Sequence, residues 1–190
     1  SVPSDRCFIL CEKSGYFTGS RAEVPSAGGV TEMRLTLQSN AASYSVNATT
    51  GGTITIGGAS VKFPAAAFVT SSGAPFTGTA KIAAKFLDPS QRTFYNSFSG
   101  DMTARRTDSS LTELLSYGVL RVQITDGSGN KLALAAGKTA TLTYPIAPSL
   151  QANAPVSMPL WYFDESIGMW KEEGTVAKSG NTYTGDVTHL

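Results

Sequence analysis

Short alternating segments closed by glycine-rich turns recur along this chain at about ten-residue spacing, and that rhythm leaves few architectures open. In "GGTITIGGASVKFP", residues 51–64, two alternating stretches flank Gly57-Gly58, a two-residue turn of the type that closes a β-hairpin. "TGTAKIAAKFLDP" reads as a long strand ended by Asp88-Pro89. "GVLRVQITD" and "KLALA" flank "GSGN", "KTATLTYPI" alternates, and "PLWYFDE" with "GMWKEEG" forms another hairpin. The only helix-like periodicity, at Leu111, Leu114 and Leu115, is too short to compete with the strands that follow. "FPAAAF" reads as a single helical turn opened by Pro64. The expected fold is an all-β, antiparallel β-sandwich with little or no helix.

A chain of 190 residues is long enough for one domain with a full core, or for a domain of about 150 residues plus a fragment of another. The strands expected in "RCFILCEK", "GYFTGSR" and "TEMRLTLQS" are too few to be stable alone. Residues 1–42 therefore read as the closing part of a small preceding β-sandwich, and residues 43–190 as the main domain. Charged residues make up 15%, against roughly 25% in an average soluble protein, which suits a secreted or surface-exposed β protein. With a net charge of +1 and its Lys and Arg spread thinly, the chain lacks the footprint of a nucleic-acid binder. No apolar run approaches the roughly 20 residues that span a bilayer, so membrane insertion is not expected. The opening "SVPSDRCFILCEKSG" lacks the basic and apolar regions of a signal peptide, which places any export signal outside this chain.

Few residues offer chemistry. Cys7 and Cys11 lie four apart, on one face of a strand but roughly 13 Å from each other, too far for a mutual disulfide. They read as buried thiols, or as thiols pairing with a segment not present here. Without further Cys, and with the single His far away, a zinc site is not supported, and no cofactor is expected. "DGSGNK", Asp126 to Lys131, has the alternating oxygens of a calcium loop but no bidentate Glu, and reads as a tight turn. "TTGGTITIGG" lacks the Lys-Ser or Lys-Thr and the helix of a phosphate cradle. Asp164, Glu165, Glu172 and Glu173 bracket one hairpin and read as its solvated tip, although paired carboxylates held about 5–10 Å apart can hydrolyse a glycoside. Trp161, Tyr162, Phe163 and Trp170 offer a sugar-stacking platform, or sandwich core.

The ending "NTYTGDVTHL" alternates, with Tyr183, Val187 and His189 on one face, and reads as a strand still running at Leu190. A Ser-His-Asp hydrolase would have to use His189, a poorly held base for work on a foreign substrate but well placed for work on its own backbone.

"ATTGGTITIGGASVKFPAAAF", "GTAKIAAKFLDP", "SYGVLRVQITDGSGNKLALAAGKTATLTYPI" and "PLWYFDESIGMWKEEG" together resemble a group of bacterial surface proteins common in the Bacteroidetes. In that group a domain like the regulatory domain of carboxypeptidases precedes a sandwich similar to the ZU-type domain of zonula occludens proteins, netrin receptors and ankyrins. The resemblance covers residues 45–190, and "KSGYFTGSR" is similar to the end of the preceding domain. Its final strand commonly carries a His-Phe-Ser type motif, and the GAIN domains of adhesion receptors break their own backbone at His-Leu-Ser or His-Leu-Thr.

The resemblance implies intramolecular cleavage after Leu190, with His189 as base and Leu190 supplying the product carboxylate. The partner implied is the protein's own C-terminal fragment, beginning with Ser or Thr and staying docked as a strand. The location implied is secreted or on a bacterial outer surface. The chemistry needs the Leu190 peptide twisted from planarity, storing on the order of 1–3 kcal/mol, and an imidazole to take the hydroxyl proton. The alternatives are an uncleaved adhesion or carbohydrate-binding module built on Trp161 and Trp170, or a plain spacer domain.

Overall fold

The computed structural model describes residues 6–190. Within that range the fold is an antiparallel β-sandwich. Its larger sheet runs in the order β4 (Gly52–Ile56), β5 (Ala59–Phe63), β12 (Ala140–Pro145), β15 (Thr182–Val187), β14 (Met169–Ser179), β8 (Thr103–Arg105) and β9 (Leu111–Glu113), with β13 (Ser157–Asp164) paired to β14. The facing sheet has three strands, β3 (Tyr44–Asn47), β7 (Thr79–Leu87) and β10 (Val119–Thr125), with β7 in the middle. Short pairs of β6 (Phe68–Thr70) with β11 (Leu132–Leu134), and of β1 (Cys7–Cys11) with β2 (Gly19–Glu23), complete it. One ladder is parallel, Trp170 and Lys171 of β14 against Ala104 and Arg105 of β8.

Alternation along the strands builds the core. Ala140, Leu142 and Tyr144 of β12 point inward, as do Ala80 and Ile82 of β7, Val61 and Phe63 of β5, and Tyr183 and Val187 of β15. Each large apolar side chain so buried contributes roughly 1.5–3 kcal/mol. A second cluster gathers Leu87, Phe94, Phe98, Ala104 and Trp170 beneath the β13–β14 hairpin. Its Trp170 indole N–H donates to the Ser99 carbonyl at 2.9 Å, so the one polar atom of that ring is satisfied.

The Gly57-Gly58 hairpin forms as expected, with φ of 56° and 85°, the positive pair that a type I′ turn requires. Other expectations change. "FPAAAF" is a turn, not a helical one, with Ala66 at φ 52°. The described helix is one turn, α1 (Phe94–Ser97), and a 3₁₀ segment, Pro148–Asn153, neither of which shows periodicity in so few residues. "TEMRLTLQS" forms no strand. It joins the neighbouring segment through the Tyr16–Ser39 bridge and the Phe17 N–H, which donates to the Gln38 carbonyl at 2.8 Å, while Leu35 and Leu37 cover Gly19 of β2. After the Asp126–Lys131 turn, β11 does not return along β10 but crosses to β6. That turn is closed by the Asp126 carboxylate, which accepts from the Ser128 and Asn130 backbone and the Asn130 amide at 2.8–2.9 Å.

Residues 6–42 lie on the sandwich. Arg6 pairs with Asp101 at 2.9 Å and donates to the Gly168 carbonyl, and the Phe8 ring stands 6.2 Å from that of Phe163. Cys7 and Cys11 are both exposed and free, which corrects the buried-thiol reading: β1 turns its Phe8 inward and leaves both thiols on the open side. Among the described residues no helix is long and apolar enough to cross a membrane.

Candidate functional site

The end of β15 and the β13–β14 hairpin make the site. Leu160 pairs with Gly174, but Trp161 pairs with Glu172, so Glu173 is an extra residue on β14. Such a β-bulge breaks strict alternation and re-aims a side chain. Glu173 is thereby turned inward, its side chain 4% exposed, which corrects its reading as part of a solvated hairpin tip.

Beyond Val187 the ladder stops, so β15 does not run to the end of the chain. The chain bends at Thr188 and is caught by Glu173. One oxygen of that carboxylate accepts from the Thr188 N–H at 3.0 Å, the Thr188 hydroxyl at 3.0 Å, the His189 N–H at 3.3 Å and the His189 Nδ1 side at 3.0 Å. No Lys or Arg pairs with Glu173 among the described residues, so these donors carry its compensation. Donation from Nδ1 suits the carboxylate, the Thr188 hydroxyl also stands 3.0 Å from Nδ1, and among the described residues Nε2 has no hydrogen-bond partner.

The ring is held from the side as well. His189 stacks on Tyr162 with centroids 3.9 Å apart and planes 10° from parallel. Lys171 lies 5.6 Å from the Tyr162 centroid and 3.4 Å from Asp164. Half of the His189 side chain, 53%, stays open to solvent, so the anchored ring remains accessible. Leu190 lines the adjoining cleft.

Of the other acidic residues, Asp164 and Glu172 are committed locally, while Glu165 is exposed at the hairpin tip as expected. Asp164 accepts from the Ser166 hydroxyl and backbone at 2.6 and 3.0 Å, and chiefly that hydroxyl, then the Ser166 N–H and Lys171, hold its pKa below the ordinary carboxylate value. A lowered folded pKa contributes stability that is present above the unfolded value near 3.9 and lost as pH falls through the folded one. The destabilisation caused by Asp164→Asn, expected below about 1 kcal/mol at this exposed turn, should therefore be full at pH 6 and vanish in strong acid; urea titrations at both pH values check this. Glu172 accepts from the Thr107 N–H at 3.1 Å. The aromatic platform is not free: Trp170 is buried, Phe163 packs edge-on against it at 5.4 Å, Tyr162 carries His189, and Arg106 sits 5.9 Å from Trp161. Among the described residues no group of three or more His, Cys, Asp and Glu is placed to hold a metal.

Of the two site residues expected from sequence, the structure ties His189 to a buried carboxylate and sets Leu190 at a cleft. Glu173 and Tyr162, singled out from sequence only as hairpin-tip acid and aromatic platform, and Thr188, not singled out, were missed as the groups that hold the His189 segment. The one available signal for Glu173 was Gly174 beside it in "KEEG", a glycine inside a strand pattern and so a place where a bulge fits.

Fold and site define an antiparallel sandwich with a carboxylate-anchored histidine just beyond its last strand. No protein-family model and no solved structure matches the chain. The chain is 28% identical over 116 residues to cartilage intermediate layer protein 1 of Mus musculus and 26% identical over 114 residues to that of Sus scrofa, covering 61% and 60% of this chain. It is 26% identical over 181 residues, 89% of its length, to cartilage intermediate layer protein 2 of Mus musculus. It spans only 10%, 19% and 15% of those three relatives. These relatives are animal proteins and lend no support to the bacterial source that the resemblance implies.

Proposed function

We propose that this chain is the N-terminal fragment of an extracellular β-sandwich domain that cleaves its own backbone after Leu190 and then serves as a structural module. The observation that carries this reading is the anchoring of His189 by Glu173, with Nδ1 held at 3.0 Å and the ring stacked on Tyr162. An extracellular setting is supported by the low charge content and by relatives whose names place them in cartilage.

In the reaction, a hydroxyl on the residue after Leu190 loses its proton to Nε2 of His189 as its oxygen attacks the Leu190 carbonyl carbon. The imidazolium that forms is stabilised by the Glu173 carboxylate. It returns the proton to the amide nitrogen as the C–N bond breaks, leaving an ester and a free amine. Water then adds to the ester carbonyl, releasing the Leu190 carboxylate and restoring the hydroxyl. The turnover is single and in cis.

Glu173→Gln keeps the shape but removes the charge that favours the imidazolium. In a protein carrying its natural residues beyond Leu190, the variant should cleave on the order of 10²-fold more slowly, read by intact mass over time. An unchanged rate would leave Glu173 with a purely structural role. A next residue other than Ser, Thr or Cys would exclude the route altogether.

A further inference from the structure

One strand of the molecule has a partner on one side and nothing on the other. β1 pairs with β2 alone, from Cys7 against Glu23 to Cys11 against Gly19. Among the described residues its backbone makes no other hydrogen bond, so the N–H and C=O groups along its outer side are left without partners. The devices that ordinarily blunt such an edge are missing, since "CFILC" holds no Lys and no Pro and its ladder has no bulge. Ile9 and Leu10 are 38% and 46% exposed. The strand is nevertheless fixed in place, because Arg6 is tied to Asp101 and to the Gly168 carbonyl, and Phe8 packs beside Phe163. A rigid, apolar, open edge is a template for another strand.

Cys7, Ile9 and Cys11 share the exposed face of β1. The thiols stand symmetrically about Ile9, two residues to either side, and this symmetry selects the partner. When two copies of β1 lie antiparallel with Ile9 opposite Ile9, Cys7 of each copy falls directly opposite Cys11 of the other, on the same face. Residues so opposed have Cα atoms about 4.5–5.5 Å apart, inside the roughly 4.4–6.8 Å that a disulfide spans. Within one chain the two thiols are roughly 13 Å apart, and the chain has no other cysteine, so a disulfide must be made with another molecule. Parallel pairing in register would oppose Cys7 to Cys7, but it would also set Glu12 on Glu12 and Lys13 on Lys13, like charges that destabilise it.

We infer that β1 is a homodimerisation strand, joined antiparallel to β1 of a second copy and closed by two Cys7–Cys11 disulfides between the chains. The ladder alone is too small to hold: five residues a side compare with the roughly 20–30 a side of a stable interface. The covalent bonds therefore maintain the association, and the strand pairing selects which thiols meet. The inference is independent of cleavage at Leu190 and rests on the proposed function only for its extracellular setting, where disulfides persist. The oxidant is a small-molecule disulfide such as oxidised glutathione. The Cys7 thiolate attacks one of its sulfurs and releases one thiol; the Cys11 thiolate of the second copy then attacks the Cys7 sulfur and releases the other. Two protein thiols and one small disulfide become one interchain disulfide and two small thiols, which carry away the protons shed by the cysteines.

The test uses the 190-residue chain in a glutathione redox buffer, with cross-linking followed by non-reducing electrophoresis and intact mass. The unchanged chain should yield a dimer of twice the chain mass less four hydrogens, reversed by dithiothreitol. Cys7→Ser and Cys11→Ser, both at exposed positions, keep one thiol each and should fold normally. Alone, each should cross-link at least about tenfold more slowly than their equimolar mixture, because only the mixture opposes Cys11 of one chain to Cys7 of another and holds the two sulfurs at reacting distance. Either variant cross-linking alone as fast as the mixture means that the thiols meet without the register, and overturns the inference. A chain that stays monomeric with both thiols capped by glutathione overturns it as well.

Discussion

His189→Ala, in a protein carrying the natural residues beyond Leu190, is expected to remain a single uncut chain under conditions in which the unchanged protein resolves into two fragments. The reason is that the chain has one histidine, and it alone combines an anchored nitrogen with a free one beside Leu190. General-base catalysis of this kind contributes typically about 10²–10⁴-fold, and an unstrained amide has no competing fast route. Intact-mass analysis reads the result directly. The fold should be little affected, because the side chain is 53% exposed and lies beyond the last ladder pair at Val187. Fragments of unchanged yield from the variant would refute self-cleavage by His189. A protein that stays whole with His189 present would refute it equally.

Gly185→Val should lose about 3 kcal/mol of stability and abolish cleavage together. A Cβ at Gly185 would sit 2.7 Å from the Thr175 carbonyl oxygen and 2.8 Å from a Val176 methyl carbon, closer than real contacts allow. The obstruction includes backbone on the neighbouring strand, so no side-chain rotation relieves it. Overpacking in a well-filled site costs typically about 1–3 kcal/mol, and valine adds two methyl groups to the forbidden Cβ. Relief requires β15 to move off β14, which shifts Thr188 and His189 away from Glu173. Urea denaturation measures the first effect and intact mass the second. Normal stability of the variant would mean that β14 and β15 are not pressed together as described.

The two variants separate the roles of the last strand. The first removes the reactive group and leaves its support; the second leaves the group and displaces the support. If both abolish cleavage but only Gly185→Val lowers stability, the chemistry is His189 and the positioning is the β14–β15 contact.

Much of the strand content was legible in the chain, because alternation is a local property. Gly57-Gly58 between "TITI" and "ASVKF" specifies its hairpin with no help from the rest of the molecule, and the same holds for "PLWYFDE" and "GMWKEEG". His189 stood out because it is the only histidine in the chain. Short elements were not legible: four residues of α1 span about one turn, too few for a period to repeat, and "TEMRLTLQS" alternates yet finds no partner strand. Exposure of Cys7 and Cys11 depends on which side of β1 meets the sandwich, and spacing within the strand does not contain that information.

By itself, then, the sequence determined the β class, the main hairpins and the chemical type of the one candidate base, since each follows from residue identity over a few neighbours. Only the tertiary structure decided that Glu173 faces inward. One extra residue in β14, visible only against the register of β13, shifts its side chain from the solvated tip to the buried partner of a residue sixteen positions on. The open edge of β1 is likewise absent from any local pattern, because an unpaired edge is a property of the whole sheet order and not of the strand that carries it.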